Sequence, residues 1–442
     1  MDVVRLNLAH GSPDEHRSAA GAVRAAAERT GRVVGLLADL PGPKLRTGTL
    51  TGDEAILGTG TSFSLGPNAA GDRTGVSTTL PNLAVLVHPG DTIFLADGAI
   101  ILEVSKVSGA DVHTDVVRGG LLRSRKGMHA PGLETRLEAF TSRDRDAIRL
   151  AIELGVDLVG LSFVRTAADV NSIKAILEES GSNAGVVAKI ETRAAAEDLE
   201  AIVRASDGVM VARGDLGIQM PLEDVPGVQK RIIREANSLG KPVITATQML
   251  ESMTRAPLPT RAEVSDVANA VLDGTDALML SEETAVGEHP VDAVRTMAGI
   301  IARTEASPTD RTPPVRPVRA ADDPVSWAVA NAAVHAAEDL GVSAILCPTR
   351  SGATSRRVAS FRPRADIVGL AEDPAALGAL TLIWGVTPTM LPPGGSDSSL
   401  EQRAVTAACG CGAMDVGELA VIVAGALGNE VGTTDFMKVV RG

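Results

Sequence analysis

The chain is poor in the features that mark several large classes of protein. Its 442 residues include only three cysteines, which argues against a disulfide-built secreted fold and favours the cytoplasm. The formal net charge is −13, so the chain lacks the basic excess of a nucleic-acid-binding surface. No apolar run reaches the roughly 20 residues of a membrane-spanning helix. We therefore expect a cytoplasmic globular protein with neither nucleic acid nor membrane among its partners.

The sequence does contain an alternation of apolar strand-like runs with helical patterns. The clearest helix covers residues 260–272, where Thr260 and Glu263 form a capping box and Gly274 follows the last apolar residue. Such alternation predicts parallel strands joined by crossover helices. Because the carboxyl ends of barrel strands carry the active site in TIM barrels, the polar residues that close these runs are candidates for function. The runs close at Asp39, Arg165, Glu191, Asp215, Gln248 and Thr284.

We predict an α/β chain of three parts, with a TIM (β/α)8 barrel, an inserted small β-barrel lid and a C-terminal α/β domain. A doubly wound sheet is the alternative fold, but no glycine-rich nucleotide motif follows a strand. The middle of the chain is rich in glycine, threonine and short alternating strands, which indicates an all-β insertion. The predicted boundaries are 1–46 and 138–305 for the barrel, 47–137 for the lid and 318–442 for the C-terminal domain.

A lysine and two acids lie at the ends of consecutive runs. Lys189 and Glu191 are two residues apart, so the alternation of a strand directs both to one face. Glu191 and Asp215 together suit one Mg²⁺, which commonly takes two carboxylates besides water and substrate oxygens. A lysine in a barrel mouth stabilises an enolate or forms a Schiff base. The alternative is a structural Lys–Glu pair with solvated surface acids.

Further polar residues complete the set of candidates. Arginine forks bind phosphate well. Two arginines beside a lysine, two carboxylates and a hydroxyl indicate phosphoryl transfer next to an enol or enolate. The added candidates are Arg5, Asn7, His10, Arg46 and Thr247.

Seven stretches of the chain resemble the motifs of pyruvate kinases. They are MDVVRLNLAHG, DLPGPKLRTG, AKIE, SDGVMVARGDLG, GKPVITATQMLESM, PTRAEVSDVANAVLDGTDALMLSEETA and SGATSRRVASFRP. They span nearly the whole chain, and the predicted three-part layout is also that of the family. The resemblance implies transfer of the phosphoryl group of phosphoenolpyruvate to ADP, which gives ATP and pyruvate in the last step of glycolysis. It also implies a homotetramer with allosteric regulation through the C-terminal domain.

The resemblance assigns roles to the residues that handle charge. Arg5 and Arg46 would bind the transferring phosphate, and Lys189 would stabilise the charge of the phosphoryl group and the enolate. Glu191 and Asp215 would ligate Mg²⁺, for which Mn²⁺ could substitute.

The resemblance also places the two substrates. Thr247 would hydrogen-bond the substrate carboxylate and lie on the proton route to the enolate carbon, and Asp97 matches an acid of the lid that closes over the site. The nucleotide would lie near Asn7, His10, Arg46 and Arg143. The phosphoenolpyruvate site would be lined by Lys189, Ala212, Arg213, Gly214, Asp215 and Thr247.

Two other functions remain open from the sequence. A Mg²⁺-dependent pyruvate aldolase or lyase shares the carboxylate pair and the enolate, but it needs no lid, no phosphate-binding arginines and no third domain. A catalytically silent paralogue used as a regulatory partner is the second alternative. Every matched catalytic residue is present, which argues against it.

The chain departs from the family pattern at its start and at two other positions. A first barrel strand and helix precede the residue that matches Met1 in the family, and without them the barrel would have two unpaired edges. We expect about 25 further residues upstream, one strand–helix unit; the alternative is a chain that folds poorly. Arg143 replaces a frequent lysine and keeps its charge. Glu282 replaces a frequent glycine, and nothing in the sequence explains that change.

One stretch of the C-terminal domain resembles the effector-phosphate loop of the family. A glycine-bearing turn with hydroxyl groups can cradle a phosphate, although a plain helix N-cap turn is the alternative. We expect a sugar-phosphate or nucleotide activator there. The matching residues are Thr349, Arg350, Ser351, Gly352 and Thr354.

The position of Lys44 predicts activity without K⁺. Many pyruvate kinases have glutamate there and bind K⁺ near the positions of Asn7 and Asp39, with a serine at the position of Ala9. The ammonium of Lys44 would replace the charge of K⁺, and Ala9 has no oxygen to donate. We expect equal rates in K⁺ and in a bulky organic cation, and a slower Lys44→Glu variant in K⁺-free buffer. A strong rise of the unmodified enzyme's rate on adding K⁺ would contradict this prediction.

Overall fold

A computed structural model of the chain describes residues 1–43, 45–80, 82–96, 98–130, 140–307, 323–394, 399–425 and 433–442. Lys44 and Asp97, to which the sequence assigned roles, lie outside these ranges, as does most of the proline-rich linker.

The chain opens with a parallel strand–helix–strand unit. Strand β1 (Val3–Asn7) pairs with β2 (Gly35–Asp39), and helix α1 (Pro13–Thr30) connects them. The register sets Asn7 beside Asp39 at the carboxyl ends of the two strands. This confirms a parallel sheet with its polar residues at one edge.

An all-β unit follows, at the position predicted for the lid. Its elements are β3 (Leu45–Arg46), β4 (Glu54–Leu57), β5 (Ser62–Leu65), β6 (Gly75–Val76), α2 (Leu83–Leu86), β7 (Thr92–Leu95), β8 (Ile100–Ser108), β9 (Asp111–Arg118), β10 (Gly120–Arg123) and β11 (Gly127–His129). One sheet has the order β3-β11-β7-β8-β9-β5-β6, and β10 pairs with β4 in a second. Arg46 pairs with Gly127, so the lid sheet begins within the segment predicted to belong to the barrel.

The rest of the barrel alternates helices and strands. Its elements are α3 (Ser142–Leu154), β12 (Leu158–Leu161), α4 (Ala167–Glu179), β13 (Gly185–Ile190), α5 (Arg193–Glu197), α6 (Leu199–Ala205), β14 (Gly208–Ala212), α7 (Arg213–Gln219), α8 (Val225–Ser238), β15 (Val243–Ala246), α9 (Arg261–Leu272), β16 (Ala277–Met279), α10 (Glu282–Ala285) and α11 (Pro290–Glu305), with 3-10 turns at Leu222–Asp224 and Glu251–Thr254. The described strands form one parallel sheet in the order β1-β2-β12-β13-β14-β15-β16. Neighbours in the sheet are successive strands of the barrel segment, with helices between them, which is the arrangement of a TIM barrel.

The local predictions for this region are largely confirmed. Thr260 caps α9, and its capping box with Glu263 is present as the sequence indicated. Two strands are shorter than their apolar runs. β14 ends at Ala212 because α7 begins at the next residue, so Asp215 lies in the first turn of a helix. β16 ends at Met279, before α10.

The C-terminal domain is a five-stranded sheet with helices on both faces. Its elements are α12 (Pro324–Leu340), β17 (Ala344–Pro348), α13 (Ala353–Ala359), β18 (Asp366–Ala371), α14 (Pro374–Leu380), β19 (Val386–Met390), α15 (Leu400–Gly410), β20 (Leu419–Ala424) and β21 (Phe436–Arg441). The order is β19-β18-β17-β20-β21, and only β21 runs antiparallel to its neighbour. Among the described helices, none is both long and apolar enough to cross a lipid bilayer.

The C-terminal domain also closes the floor of the barrel. Leu382, which follows α14, is 3% exposed and belongs to an apolar cluster of side chains from the barrel strands. Close approach is possible because two glycines line the contact: a Cβ atom on Gly35 would lie 2.7 Å from the carbonyl oxygen of Gly378. The barrel members of the cluster are Leu37, Leu158, Val187, Met210, Ile244 and Ala246.

We expect Leu382→Ala to destabilise the barrel although Leu382 belongs to the other domain. Removing a buried leucine side chain costs about 2–5 kcal/mol in the free energy of unfolding, since a cavity remains. Leu340→Ala, the same change at a side chain that is 49% exposed, should stay within about 0.5 kcal/mol. Calorimetry and amide hydrogen exchange of β13 and β14 measure the effect. Unchanged exchange in these strands would contradict a role for Leu382 in the barrel floor.

Candidate active site

The barrel mouth is organised around the buried ammonium group of Lys189, near the end of β13. Three acceptors surround its Nζ atom: Ser162 Oγ at 2.7 Å, Glu191 Oε1 at 2.8 Å and Asp39 Oδ1 at 3.1 Å. Burial disfavours the ammonium, but the carboxylates of Asp39 and Glu191 outweigh this and raise the pKa of Lys189 above its ordinary value. Lys189 is therefore a permanently charged group at neutral pH.

Asp39 links Lys189 to a second cation. The Nε atom of Arg5 donates to Asp39 Oδ2 at 2.7 Å, and Nη2 lies 2.6 Å from the same oxygen. Burial alone would raise the pKa of Asp39, but Lys189 and Arg5 outweigh it and hold that pKa below its ordinary value. Each carboxylate oxygen of Asp39 thus faces a cation of the chain itself.

Both oxygens of Glu191 are held at the mouth. Its Oε2 atom accepts a hydrogen bond from the backbone N–H of Phe163 at 2.9 Å, and Phe163 has a left-handed φ of +55°. Its Oε1 atom is buried and lies 2.8 Å from the ammonium of Lys189 as an ion pair. Burial raises the pKa of Glu191, Lys189 opposes this and the charge of Asp215 adds to it.

These observations fit a divalent cation held by Glu191 and Asp215. The carboxylate of Glu191 and the second carboxylate that repels it, Asp215, form a hard oxygen donor set, which suits Mg²⁺. The described residues hold no cluster of three or more metal-binding side chains. A metal ion here would therefore complete its coordination with substrate oxygens and water.

Thr247 lies in a strained turn directly after β15. Its φ is +68° and that of Gln248 is +54°, a conformation that is costly for a β-branched residue and is typical of functional sites. The Thr247 hydroxyl donates to the carbonyl of Ala246 at 2.7 Å and accepts from the N–H of Gly214 at 2.9 Å. The turn therefore presents the hydroxyl at the mouth in one orientation, next to the start of α7.

The side chain of Arg213 holds this turn. Its guanidinium pairs with both oxygens of Asp266, at 2.8 and 2.7 Å, and donates to the carbonyl of Thr247 at 2.6 Å. The sequence placed Ala212, Arg213 and Gly214 around the substrate. In the structure Arg213 and Gly214 bind Thr247 and Ala212 pairs with Ala246, but the contacts of the guanidinium are with the chain itself. Any contact of this segment with substrate would come from its backbone.

The residues predicted to lie near the nucleotide converge on the loop after β1. Arg46 Nη2 donates to Nε2 of His10 at 3.2 Å, Arg143 Nη2 donates to the carbonyl of Ala9 at 2.6 Å, and Asn7 Oδ1 accepts from the N–H of Ala9 at 3.2 Å. The β1 loop, the start of the lid and the start of α3 therefore meet at one place. Arg46 connects the lid to the barrel there.

Two residues of the site were missed in the sequence. Ser162 is buried, accepts from Lys189 and donates to the carbonyl of Leu40 at 2.8 Å. The sequence could have indicated Ser162 by its position, because it is a polar residue directly after the apolar run of β12. Asp144 is buried in the capping box of α3 and accepts from the N–H of Gly42 at 2.8 Å, which fixes the exit to the lid.

The residues predicted to form an effector loop lie in the C-terminal domain, at the end of β17. Ser351 and Arg350 are exposed, and the N–H of Gly352 donates to Oγ1 of Thr349 at 2.9 Å. Thr354 is buried and its hydroxyl lies 2.9 Å from that of Thr434. Gly352 is the N-cap of α13, which is the alternative that the sequence left open, and the Thr354 hydroxyl points into the domain.

The fold and the barrel mouth together define a TIM-barrel protein with a charged site at the carboxyl ends of its strands. Residues 1–294 match the family model described as pyruvate kinase, barrel domain, and residues 327–440 match pyruvate kinase, alpha/beta domain. The chain belongs to the pyruvate kinase family, which confirms the resemblance found in the sequence.

Curated relatives agree with the family models. The chain is 42% identical to the pyruvate kinase of Geobacillus stearothermophilus over 443 residues, which cover 99% of this chain and 76% of the relative. It is 41% identical to that of Bacillus licheniformis with the same coverage. It is 40% identical to that of Staphylococcus aureus strain MRSA252 over 448 residues, again 99% of this chain and 76% of the relative.

We expect Lys189→Met to lower the free energy of unfolding by about 3–5 kcal/mol, because it leaves the buried Glu191 without its cation and Asp39 with Arg5 alone. A Lys189→Met/Glu191→Gln double variant should lose less, since one of these charges is also removed. Lys438→Met is the control, because Lys438 is 59% exposed in its ion pair with Glu401, and it should cost no more than about 1 kcal/mol. Denaturant unfolding measures all three. Equal losses in the single and double variants would contradict the role assigned to the ion pair.

Proposed function

We propose that the chain transfers the phosphoryl group of phosphoenolpyruvate to ADP, giving pyruvate and ATP. The observation that carries this is the ammonium of Lys189 among Asp39, Glu191 and Ser162 at the mouth of a pyruvate kinase barrel. A permanently charged, positioned cation at the mouth stabilises charge on a moving phosphoryl group and on the enolate left behind.

The arginines supply the remaining positive charge for the phosphoryl group. Arg5 is held by Asp39, and Arg46 reaches the barrel from the first lid strand. Because Arg46 belongs to the lid sheet, closure of the lid would move its guanidinium with it and exclude water from the reacting phosphoryl group. When bound by Glu191 and Asp215, Mg²⁺ or Mn²⁺ would neutralise charge on phosphoryl oxygens.

Thr247 directs the proton that converts the enolate into pyruvate. Its hydroxyl accepts from Gly214 N–H and in the absence of substrate donates to the Ala246 carbonyl. Because the hydroxyl oxygen is fixed by the N–H of Gly214, only the hydroxyl proton can change its direction. It can turn from the Ala246 carbonyl to a substrate carboxylate or to a water on the proton route. The strained backbone limits the other positions that Oγ1 can take.

We further propose activity without K⁺. Both oxygens of Asp39 already face Lys189 and Arg5, and Ala9 has no side-chain oxygen, so these positions offer few oxygen ligands to a monovalent cation. The positive charge of Lys44 would replace that of K⁺.

The assembly, its location and its regulation are also proposals. We propose a cytoplasmic homotetramer, on the strength of the family and of the few cysteines. A phosphorylated activator would bind at the exposed part of the loop formed by Thr349, Arg350, Ser351 and Gly352, with Thr354 acting from inside the domain.

The test is a coupled assay of pyruvate and ATP formation from phosphoenolpyruvate, ADP and Mg²⁺. Thr247→Ala should lower kcat about 10²–10⁴-fold, the usual contribution of a proton-transfer group, while Thr247→Ser keeps the hydroxyl and most of the rate. A silent paralogue would give no turnover in any variant. Pyruvate formed without ADP would indicate a lyase, and equal rates in Thr247→Ala and the unmodified chain would refute the role of Thr247.

A further inference from the structure

A cleft lies between the lower end of the barrel and the C-terminal domain, on the opposite side from the site described above. The barrel contributes the segment before β15 and the start of β16, and the C-terminal domain contributes α13 and the turn after it. The cleft opens to solvent, since its polar residues are mostly half-buried. Its walls are formed by Asn237, Gly240, Lys241, Pro242, Asp276, Arg356, Ala359, Ser360, Arg362 and Ile383.

The cleft carries an excess of positive charge in a chain whose formal net charge is −13. Its carboxylate, Asp276, is already paired with Arg362 at 3.0 Å. The nearby Asp207 is paired with Lys174 at 2.9 Å. Lys241 and Arg356 have no carboxylate within ion-pair distance among the residues that the structure describes. Two cations from two domains thus face one space, and the carboxylate that acts on both of them, Asp207, lies beyond ion-pair distance of either.

The hydrogen bonds of these two cations leave most of their donors unused. Lys241 Nζ donates to the carbonyl of Ser206 at 2.6 Å, and Arg356 Nη1 donates to the carbonyl of Ser351 at 3.2 Å. An ammonium has three N–H donors and a guanidinium has five. Among the described residues, no further acceptor bonds either group. The remaining donors are therefore available to a ligand with several acceptor oxygens.

The size of the cleft limits what that ligand can be. The enclosed part of the cleft is about 10 Å³, room for about one water molecule. A nucleotide or a sugar phosphate therefore exceeds it. A small tetrahedral oxyanion has four acceptor oxygens, and at the open mouth of the cleft these can meet the donors of both cations.

We propose that this cleft binds a small inorganic oxyanion, phosphate or sulfate, between Lys241 of the barrel and Arg356 of the C-terminal domain. The anion would connect the two domains at a point where the chain itself supplies two like charges. It would also compete for Arg356, which donates to the carbonyl of Ser351, so the site adjoins the loop at 349–354.

The electrostatics of Lys241 agree with a missing anion. Burial lowers the pKa of Lys241 to about 8; the carboxylate of Asp207 opposes this shift, and Arg356, Lys174 and Arg204 add to it. The ion pair of Arg362 with Asp276 in the same cleft has a net charge close to zero. A bound dianion would favour the ammonium, so binding should weaken as the pH rises through the region where the free lysine loses its proton.

The test is isothermal titration calorimetry of the full chain with sodium sulfate, at constant ionic strength held with chloride. Sulfate stays a dianion from pH 7 to 9.5, so any pH dependence belongs to the protein. Lys241→Gln and Arg356→Gln should each weaken binding about tenfold or more, the loss expected for one charge-assisted hydrogen bond. Lys241→Arg should restore binding and remove its weakening at pH 9.5, because arginine stays charged.

Two controls separate this cleft from other anion sites. Arg46→Gln alters the barrel mouth and Arg350→Gln removes the exposed cation of the loop at 349–354, and neither should change the sulfate affinity of the cleft. Inorganic phosphate should bind like sulfate, whereas glycerol phosphate should bind more weakly because the cleft has little room for the ester. Undetectable sulfate binding by the unmodified chain, or binding that Lys241→Gln leaves unchanged, would overturn the proposal.

Discussion

The buried charge cluster of Lys189, Asp39, Glu191 and Arg5 is the constraint on which the rest of the barrel mouth depends. Moving one such charge out of water is costly, and the attraction to the others offsets this only while all of them stay in contact. Two cations and two carboxylates make the cluster formally neutral. Its members lie on or directly after β1, β2 and β13, so the order and register of the sheet must be kept for the cluster to exist.

Ser162 and the backbone around it complete this cluster. The Ser162 hydroxyl accepts a hydrogen bond from Lys189 and donates one to the carbonyl of Leu40. The N–H of Phe163, whose backbone is left-handed, donates to Glu191. Neither residue carries a charge, but together they fix where the ammonium and the carboxylate lie. Preorganised groups of this kind stabilise developing charge without reorganising during the reaction. The strain at Phe163 and Thr247 is concentrated where it orients functional groups.

The floor of the barrel ties the mouth to the C-terminal domain. Leu382 packs against Val187, which lies on the same strand face as Lys189, two residues away. Movement of the C-terminal domain would therefore change the packing directly below the charge cluster. The anion cleft lies at the same domain boundary, and a ligand there would favour one arrangement of the two domains over others.

Local patterns in the sequence were sufficient for the strand–helix order, for the capping box at Thr260 and for the pairing of Lys189 with Glu191, because periodicity and capping depend on neighbours along the chain. The family was recognisable because its motifs are short and contiguous. Tertiary structure alone decided the ion pair of Arg213 with Asp266 and the contact of Ser162 with Lys189. It also decided that the Thr354 hydroxyl points into its domain and that Lys241 and Arg356 line one cleft. In each case the residues that come into contact are far apart in sequence, and only the packing of whole helices and strands determines which polar groups meet.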